Sequence, residues 1–396
     1  MEMYFPKDEY EERWRRVYEE MSARGYDAAI VWGRSGGTYE RCGDVLYLTN
    51  FYSTHSGHEQ DTKIWSARSF ACVILAAGEE PALHSDEADS PRDLIATDRI
   101  DWHMDPTEGV GKALKARGIS GDVAFVGWDF FPVKYARQLE ELVPEITFHP
   151  EDKLVESVRK VKSPRELQCY REGGEIVTAG MDILCEALLA GKTEAEAAGL
   201  SAAEIMKRGG NFDRYPLSHG DRMDYFQRNP LIGYSTDPMA EGDLFRSAVN
   251  GPIWQGYWLD PCRSSVVGAK PTPEQKALVE GNARIVEETI DRIAPGVNVK
   301  EVCLAADKLT EELSGGAEDQ GRQMWPICGH GIGLFWEFPW LGSELVEDDE
   351  IFEEGMVLGI EGFLAMPGAG STSFEQNVIV TAAGTELLTP TPMLFW

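Results

Sequence analysis

Four residues in the second half of the chain offer the most definite chemistry. Asp260 lies in GYWLDPCRS, His330 in CGHGIGL, Glu361 in LGIEGF and Glu375 in TSFEQNVIV. Each stands beside glycine or within an apolar run of strand character, where an unpaired charge is costly and calls for a partner or a metal. One imidazole and three carboxylates suit a divalent first-row ion. The oxygen-rich balance favours Mn or Fe over a thiolate-type Zn site, with Co and Zn left open. Spacing alone fits a buried ion-pair network equally well.

The elements that must position these residues can be read from periodicity. Residues 7 to 24 have apolar positions at helical spacing and form an amphipathic helix. Short apolar runs at 27–33, 45–51, 69–77 and 122–129 read as strands, and 105–119 as a helix. This alternation predicts an α/β layer with strands covered by helices. At RKVKSPRE, Ser163 caps a helix with Pro164 in its first turn and Glu166 three residues on. That helix runs to about Leu189, and a Gly stop and a Thr193 cap start another. Residues 215 to 270 are strand-like and Gly-rich, two helices follow from 271, and the C-terminal stretch reads as a sheet broken by Gly and Pro. The boundary between the halves is expected near 155 to 163, giving domains of 1–158 and 159–396.

The chain has 396 residues, enough for two to three domains and a large core without disulfides or a structural metal. Lys and Arg total 37 against 67 Asp and Glu, for a net charge of −30. That balance argues against a nucleic-acid binder and against docking on anionic membranes. It leaves room for an anionic small substrate held by local arginines. The cysteines number seven, with no C-x-x-C pair, as expected of reduced thiols. The N-terminal MEMYFPKDEYEERWRR has no apolar core of a signal peptide, and no run reaches the ~18 apolar residues of a membrane span. A cytoplasmic location is the expectation.

RKVKSPRE, GYWLDPCR, GHGIGL, IEGF and FEQNVIV, in that order, resemble the hallmarks of the creatinase/aminopeptidase superfamily, including its Xaa-Pro aminopeptidase and prolidase-like members. The resemblance implies an α/β creatinase-like N-terminal domain and an α+β C-terminal pita-bread catalytic domain. It implies a divalent metal held by Asp260, His330, Glu361 and Glu375. It also implies a homodimer, in which the loop carrying His55 and His58 can reach the partner's substrate.

Three departures qualify that implication. Peptidase members have a further Asp eleven residues before Asp260, where this chain has Val249; the neighbouring Asn250 is a weak oxygen donor. One metal is therefore expected, with a second doubtful. Members often carry a second His seven residues after the first, where this chain has Glu337, a candidate base or partner for a substrate cation. Members also place a His on a loop before the Gly-Asp at 242–243. Arg228 or His219 stands in for it here, Arg228 offering a planar fork to an anion. Arg263 reads as support for a ligand carboxylate. Trp254, Tyr257, Trp258, Trp336 and Trp340 supply aromatic surface, with Trp336 the candidate to touch substrate.

The catalytic set is thus Glu361, Glu337 and His330, and the partner a small, anionic or zwitterionic molecule. A metal-dependent hydrolase of a small C–N bond, in a modified amino acid or osmolyte-like substrate, is the leading reading. A Xaa-Pro aminopeptidase or dipeptidase, a lyase acting on a dimethylsulfoniopropionate-like substrate, and a non-catalytic binding module are the alternatives.

Overall fold

A computed structural model describes residues 2–34, 43–53, 69–220, 233–314 and 325–396. The chain divides into two compact units, Met1–Arg159 and Lys160–Trp396.

The first unit is built on a six-stranded sheet. Its strands are β1 (Ala28–Arg34), β2 (Phe70–Ala76), β3 (Ala82–Ser85), β4 (Arg99–Trp102), β5 (Gly121–Val126) and β6 (Ile146–Pro150), in the order β4-β3-β2-β1-β5-β6. The central β1 runs antiparallel to β2 and parallel to β5. Helices α1 (Lys7–Ala23), α2 (Gly43–Thr49), α3 (Pro106–Ala116), α4 (Val133–Leu142) and α5 (Lys153–Arg159) complete it. Ile30, Trp32, Phe70, Phe125 and Phe131 lie in its core.

Here one expectation is corrected. VLYLTNF is not a strand; Val45 to Thr49 belong to α2. A short, wholly apolar run cannot be assigned by periodicity alone. The helix is favoured because its end is satisfied. Arg13 donates to the Tyr47 carbonyl at 3.0 Å and Trp14 Nε1 to the Leu48 carbonyl at 2.7 Å. Those are terminal carbonyls without intrahelical partners. Asn50 then takes a positive φ of 60°, the left-handed stop common after a helix.

The second unit opens with α6 (Pro164–Leu189), whose Ser163–Glu166 capping box is fully formed, and α7 (Glu194–Lys207), capped in the same way by Thr193 and Glu196. Then come β7 (Leu217–His219), β8 (Leu244–Ala248), β9 (Gly251–Trp254), β10 (Tyr257–Leu259) and β11 (Cys262–Val266), followed by α8 (Pro273–Ile290) and α9 (Val299–Ser314). The chain ends with β12 (Gly329–Ile332), β13 (Trp336–Trp340), β14 (Val357–Met366), β15 (Gly370–Thr381) and β16 (Gly384–Leu387). The large sheet has the order β13-β12-β14-β15-β11-β8-β7, with β16 also on β15, and β9 and β10 form a separate hairpin. Asn282 of α8 clamps this helix to the sheet, donating to Gly362 O at 3.0 Å and Thr372 Oγ1 at 2.9 Å.

All described cysteines are buried and free. Among the described residues no helix is long and apolar enough to cross a membrane.

Candidate metal centre

The centre is assembled where strands distant in sequence become neighbours. In the β14–β15 hairpin Glu361 stands directly opposite Glu375. Two carboxylates so placed repel each other unless a cation or a proton lies between them. On the far side of β14, β12 pairs His330 with Gly359. On the far side of β15, β11 pairs Cys262 with Glu375, which brings in Asp260 just before β11. Gly359 is required by this packing: a Cβ there would lie 2.3 Å from Glu375 Oε1 and 3.1 Å from the His330 ring.

His330 Nε2 lies 3.7 Å from Asp260 Oδ2 and 3.6 Å from Glu375 Oε1. The three ligand atoms all fall within 4.8 Å of one another, and all three residues are buried. His330 Nδ1 lies 3.0 Å from the Gly331 carbonyl. A carbonyl only accepts, so Nδ1 carries the hydrogen and the Nε2 lone pair faces the two carboxylates. Three electron-rich atoms pointing inward fit a divalent cation.

Neighbours hold this set in place. Asn377 donates from Nδ2 to Asp260 Oδ1 at 3.0 Å and to Glu375 Oε1 at 3.4 Å, while its Oδ1 accepts from the Asp260 backbone N–H at 3.1 Å. Trp258 Nε1 donates to Asp260 Oδ2 at 3.2 Å, and Trp336 Nε1 donates to the same oxygen. Glu361 stands at the rim of the triplet, its Oε1 accepting from Trp325 Nε1 at 2.8 Å. Burial pushes the Glu361 carboxyl well above the ordinary carboxylate range; the Trp325 bond opposes this and the Asp260 charge adds to it. Glu375 is pushed up by burial first, then by the charges of Asp260 and Glu361. Glu361, Glu375, Asn250, Arg246, Trp325 and Trp336 are among the residues lining a cavity of about 30 Å³, enough for an ion or a water.

Residues 168–382 match the model of metallopeptidase family M24. The chain belongs to this family. It is accordingly a hydrolase of the metallopeptidase-like pita-bread superfamily. The Bacillus subtilis (strain 168) protein YkvY is 25% identical over 385 residues, covering 96% of this chain and 98% of that one. The Xaa-Pro dipeptidase of Pyrococcus horikoshii is 27% identical over 265 residues, 66% of this chain and 71% of that one. Among solved structures, the Xaa-Pro dipeptidase from Bacillus anthracis superposes with a TM-score of 0.77 at 21% identity, over 97% of this chain and 98% of that one. At that identity the likeness speaks for the fold alone, an α/β unit followed by a pita-bread unit.

Within this M24 chain the other expected site residues fall into three groups. Asn250 and Trp336 join the cavity, but Trp336 turns its polar atom to Asp260. Asn250 is buried with an Oδ1 that accepts no hydrogen bond among the described residues. A second group is engaged elsewhere. Glu337 is buried against Lys162, Oε1 to Nζ 2.6 Å. His219 Nδ1 is bonded to Glu194 Oε1 at 2.8 Å. Arg263 does not support a carboxylate as expected. It is fully buried and donates to the main-chain carbonyls of Cys262, Glu375, Thr389, Thr391 and Pro392, and to the Gln376 side chain. Its fork is used to tie the C-terminal segment to β15. The third group, Arg228, His55 and His58, lies outside the described residues.

Four residues were missed. Asn377 was legible, because it sits two positions after Glu375 on a strand and so shares its face. Trp325, Arg246 and Lys162 carried no local signal; only the tertiary fold brings Trp325 to Glu361, Arg246 into the cavity and Lys162 to Glu337.

Proposed function

We propose that this M24 hydrolase uses one divalent metal ion, held by Asp260, His330 and Glu375 with Glu361 beside them, to hydrolyse a C–N bond in a small modified amino acid or osmolyte-like substrate. The convergence of one ligand atom from each of Asp260, His330 and Glu375 within 4.8 Å of one another carries this reading. When bound there, a divalent ion would supply Lewis-acid polarisation of the scissile carbonyl and a more acidic water. Glu361, beside the triplet with its Oε1 held by the Trp325 N–H, would take the proton released by the attacking water and pass it to the leaving nitrogen. Asn377 fixes the Asp260 and Glu375 carboxylates relative to each other. Buried, apolar Val249 stands where the resemblance to peptidase members implies a further Asp, which supports a single ion. The Lys162 pairing of Glu337 favours a positioning role for that residue over one as a base.

A second reading, cleavage of Xaa-Pro dipeptides, is favoured by relatives that bear that name. The test is turnover by protein loaded with Mn²⁺, Co²⁺ or Zn²⁺ on a panel of Xaa-Pro dipeptides and N-acylated amino acids, followed by mass spectrometry in ¹⁸O-water. Preferred hydrolysis of the N-acylated compounds, with one ¹⁸O incorporated, is expected. Faster turnover of the Xaa-Pro dipeptides would replace it with the second reading.

A further inference from the structure

The Asp260 oxygen that lies 3.7 Å from His330 Nε2 is already in use. A carboxylate oxygen has two lone pairs. Asp260 Oδ2 accepts from Trp258 Nε1 at 3.2 Å and also from Trp336 Nε1. Asp260 Oδ1 accepts from Asn377. The oxygen positioned to ligate an ion with His330 Nε2 is therefore saturated by two indole N–H groups. One must let go before that oxygen can bind a cation.

The two indoles differ in their freedom. Trp258 is buried to 2% exposure, with its ring edge-on to Phe335 at 4.8 Å between centroids. Trp336 is half-buried and lines the cavity. It begins β13 and packs beside the His330 ring at 5.4 Å.

We propose that Trp336 is a competing donor at the metal centre: its indole N–H holds Asp260 Oδ2 and must release it for that oxygen to ligate the ion. This rests on reading the centre as a metal site. Trp336 is then a positioning residue that keeps Asp260 aligned when the ion is absent and weakens the ion's hold by the strength of one bond to a carboxylate. Its conservative replacement should tighten metal binding, the opposite of what loss of a supporting contact does.

The test uses Trp336→Phe, which keeps an aromatic ring beside His330 and removes the N–H. Binding of Mn²⁺ alone is measured by calorimetry on chelator-treated full-length protein, with circular dichroism to confirm that the variant is folded. The expected result is a Kd at least about tenfold lower than in the wild type, since a hydrogen bond to a charged group is worth that much or more. The wild type supplies an independent measurement that does not depend on the variant folding. In ¹⁵N-indole spectra titrated with Zn²⁺, one indole N–H resonance should shift in step with the first equivalent of metal. Trp258→Phe, or the absence of that peak in Trp336→Phe, assigns it. An unchanged or weaker Kd in folded Trp336→Phe, or indole resonances that stay put while Zn²⁺ binds, overturns the proposal and leaves the metal centre standing. No binding of either ion to either protein overturns both.

Discussion

Replacing Lys162 by methionine removes one half of an ion pair that is almost wholly out of solvent. The Lys162 ammonium and the Glu337 carboxylate are 2.6 Å apart, with side-chain exposures of 2% and 1%. Lys162 also donates to the Lys160 carbonyl at 3.2 Å, directly before the Ser163 cap of α6. Its substitution leaves the buried Glu337 carboxylate of β13 without its lysine. Breaking a buried pair from one side costs about 3–5 kcal/mol, while exchanging both members for apolar residues is often neutral or stabilising. For a unit of this size that cost corresponds to a fall of roughly 6–20 °C in Tm. Lys162→Met should show that fall in thermal unfolding followed by tryptophan fluorescence. Lys162→Met combined with Glu337→Leu should recover to within about 1 kcal/mol of the wild type. If Glu337 serves only to match Lys162, the double variant also keeps metal binding. A Lys162→Met protein within about 1 kcal/mol of the wild type would refute the pairing argument. A stable double variant with kcat reduced a hundredfold and KM unchanged would return Glu337 to the reaction itself.

Other consequences follow from buried polar groups. Burial and the neighbouring His103 ring lower the His84 pKa to about 4, so the unfolded chain takes up a proton before the folded one does. The stability from neutral His84 is full above the ordinary histidine pKa and is lost as pH falls toward 4; about 2.5 units correspond to ~3 kcal/mol. The penalty of His84→Phe in urea unfolding should shrink by about that amount between pH 7 and pH 4, and a penalty independent of pH would contradict the assignment. Arg263→Lys should be nearly as destabilising as Arg263→Met, by about 3 kcal/mol or more, because an ammonium cannot reproduce the planar fork across the carbonyls of Thr389 and Thr391; full rescue by lysine would show that charge alone matters. Asn377→Leu, which removes the amide between Asp260 and Glu375, should weaken Mn²⁺ binding by about ten- to a hundredfold in calorimetry, and unchanged affinity would remove Asn377 from the centre.

Much of the fold was legible because local signals agreed with the final packing. Ser163 formed the box that its sequence announced, and the expected Thr193 cap formed with Glu196 completing a second box. The apolar runs of β1, β2 and β5 became buried strands. Residues 45–51 were misread because a helix closed by Arg13 and Trp14 from another helix has no signature within its own segment. The same distinction runs through the candidate site. Acidic residues and a histidine inside apolar, Gly-flanked runs are conspicuous, since burying them needs a reason. Their partners are not: the Trp325 bond to Glu361 and the Lys162 pair with Glu337 join segments that only the tertiary fold brings together. Arg263 illustrates the converse. Its place after Asp260 suggested a carboxylate partner, yet its guanidinium is spent on main-chain carbonyls.

The most direct test of the one-metal centre is the metal content per chain, by elemental mass spectrometry, of protein purified without chelator, alongside Asp260→Ala and His330→Ala. One divalent ion per chain in the wild type, and close to none in either variant, is the predicted result. Two ions per wild-type chain, or a content that neither substitution lowers, would contradict it.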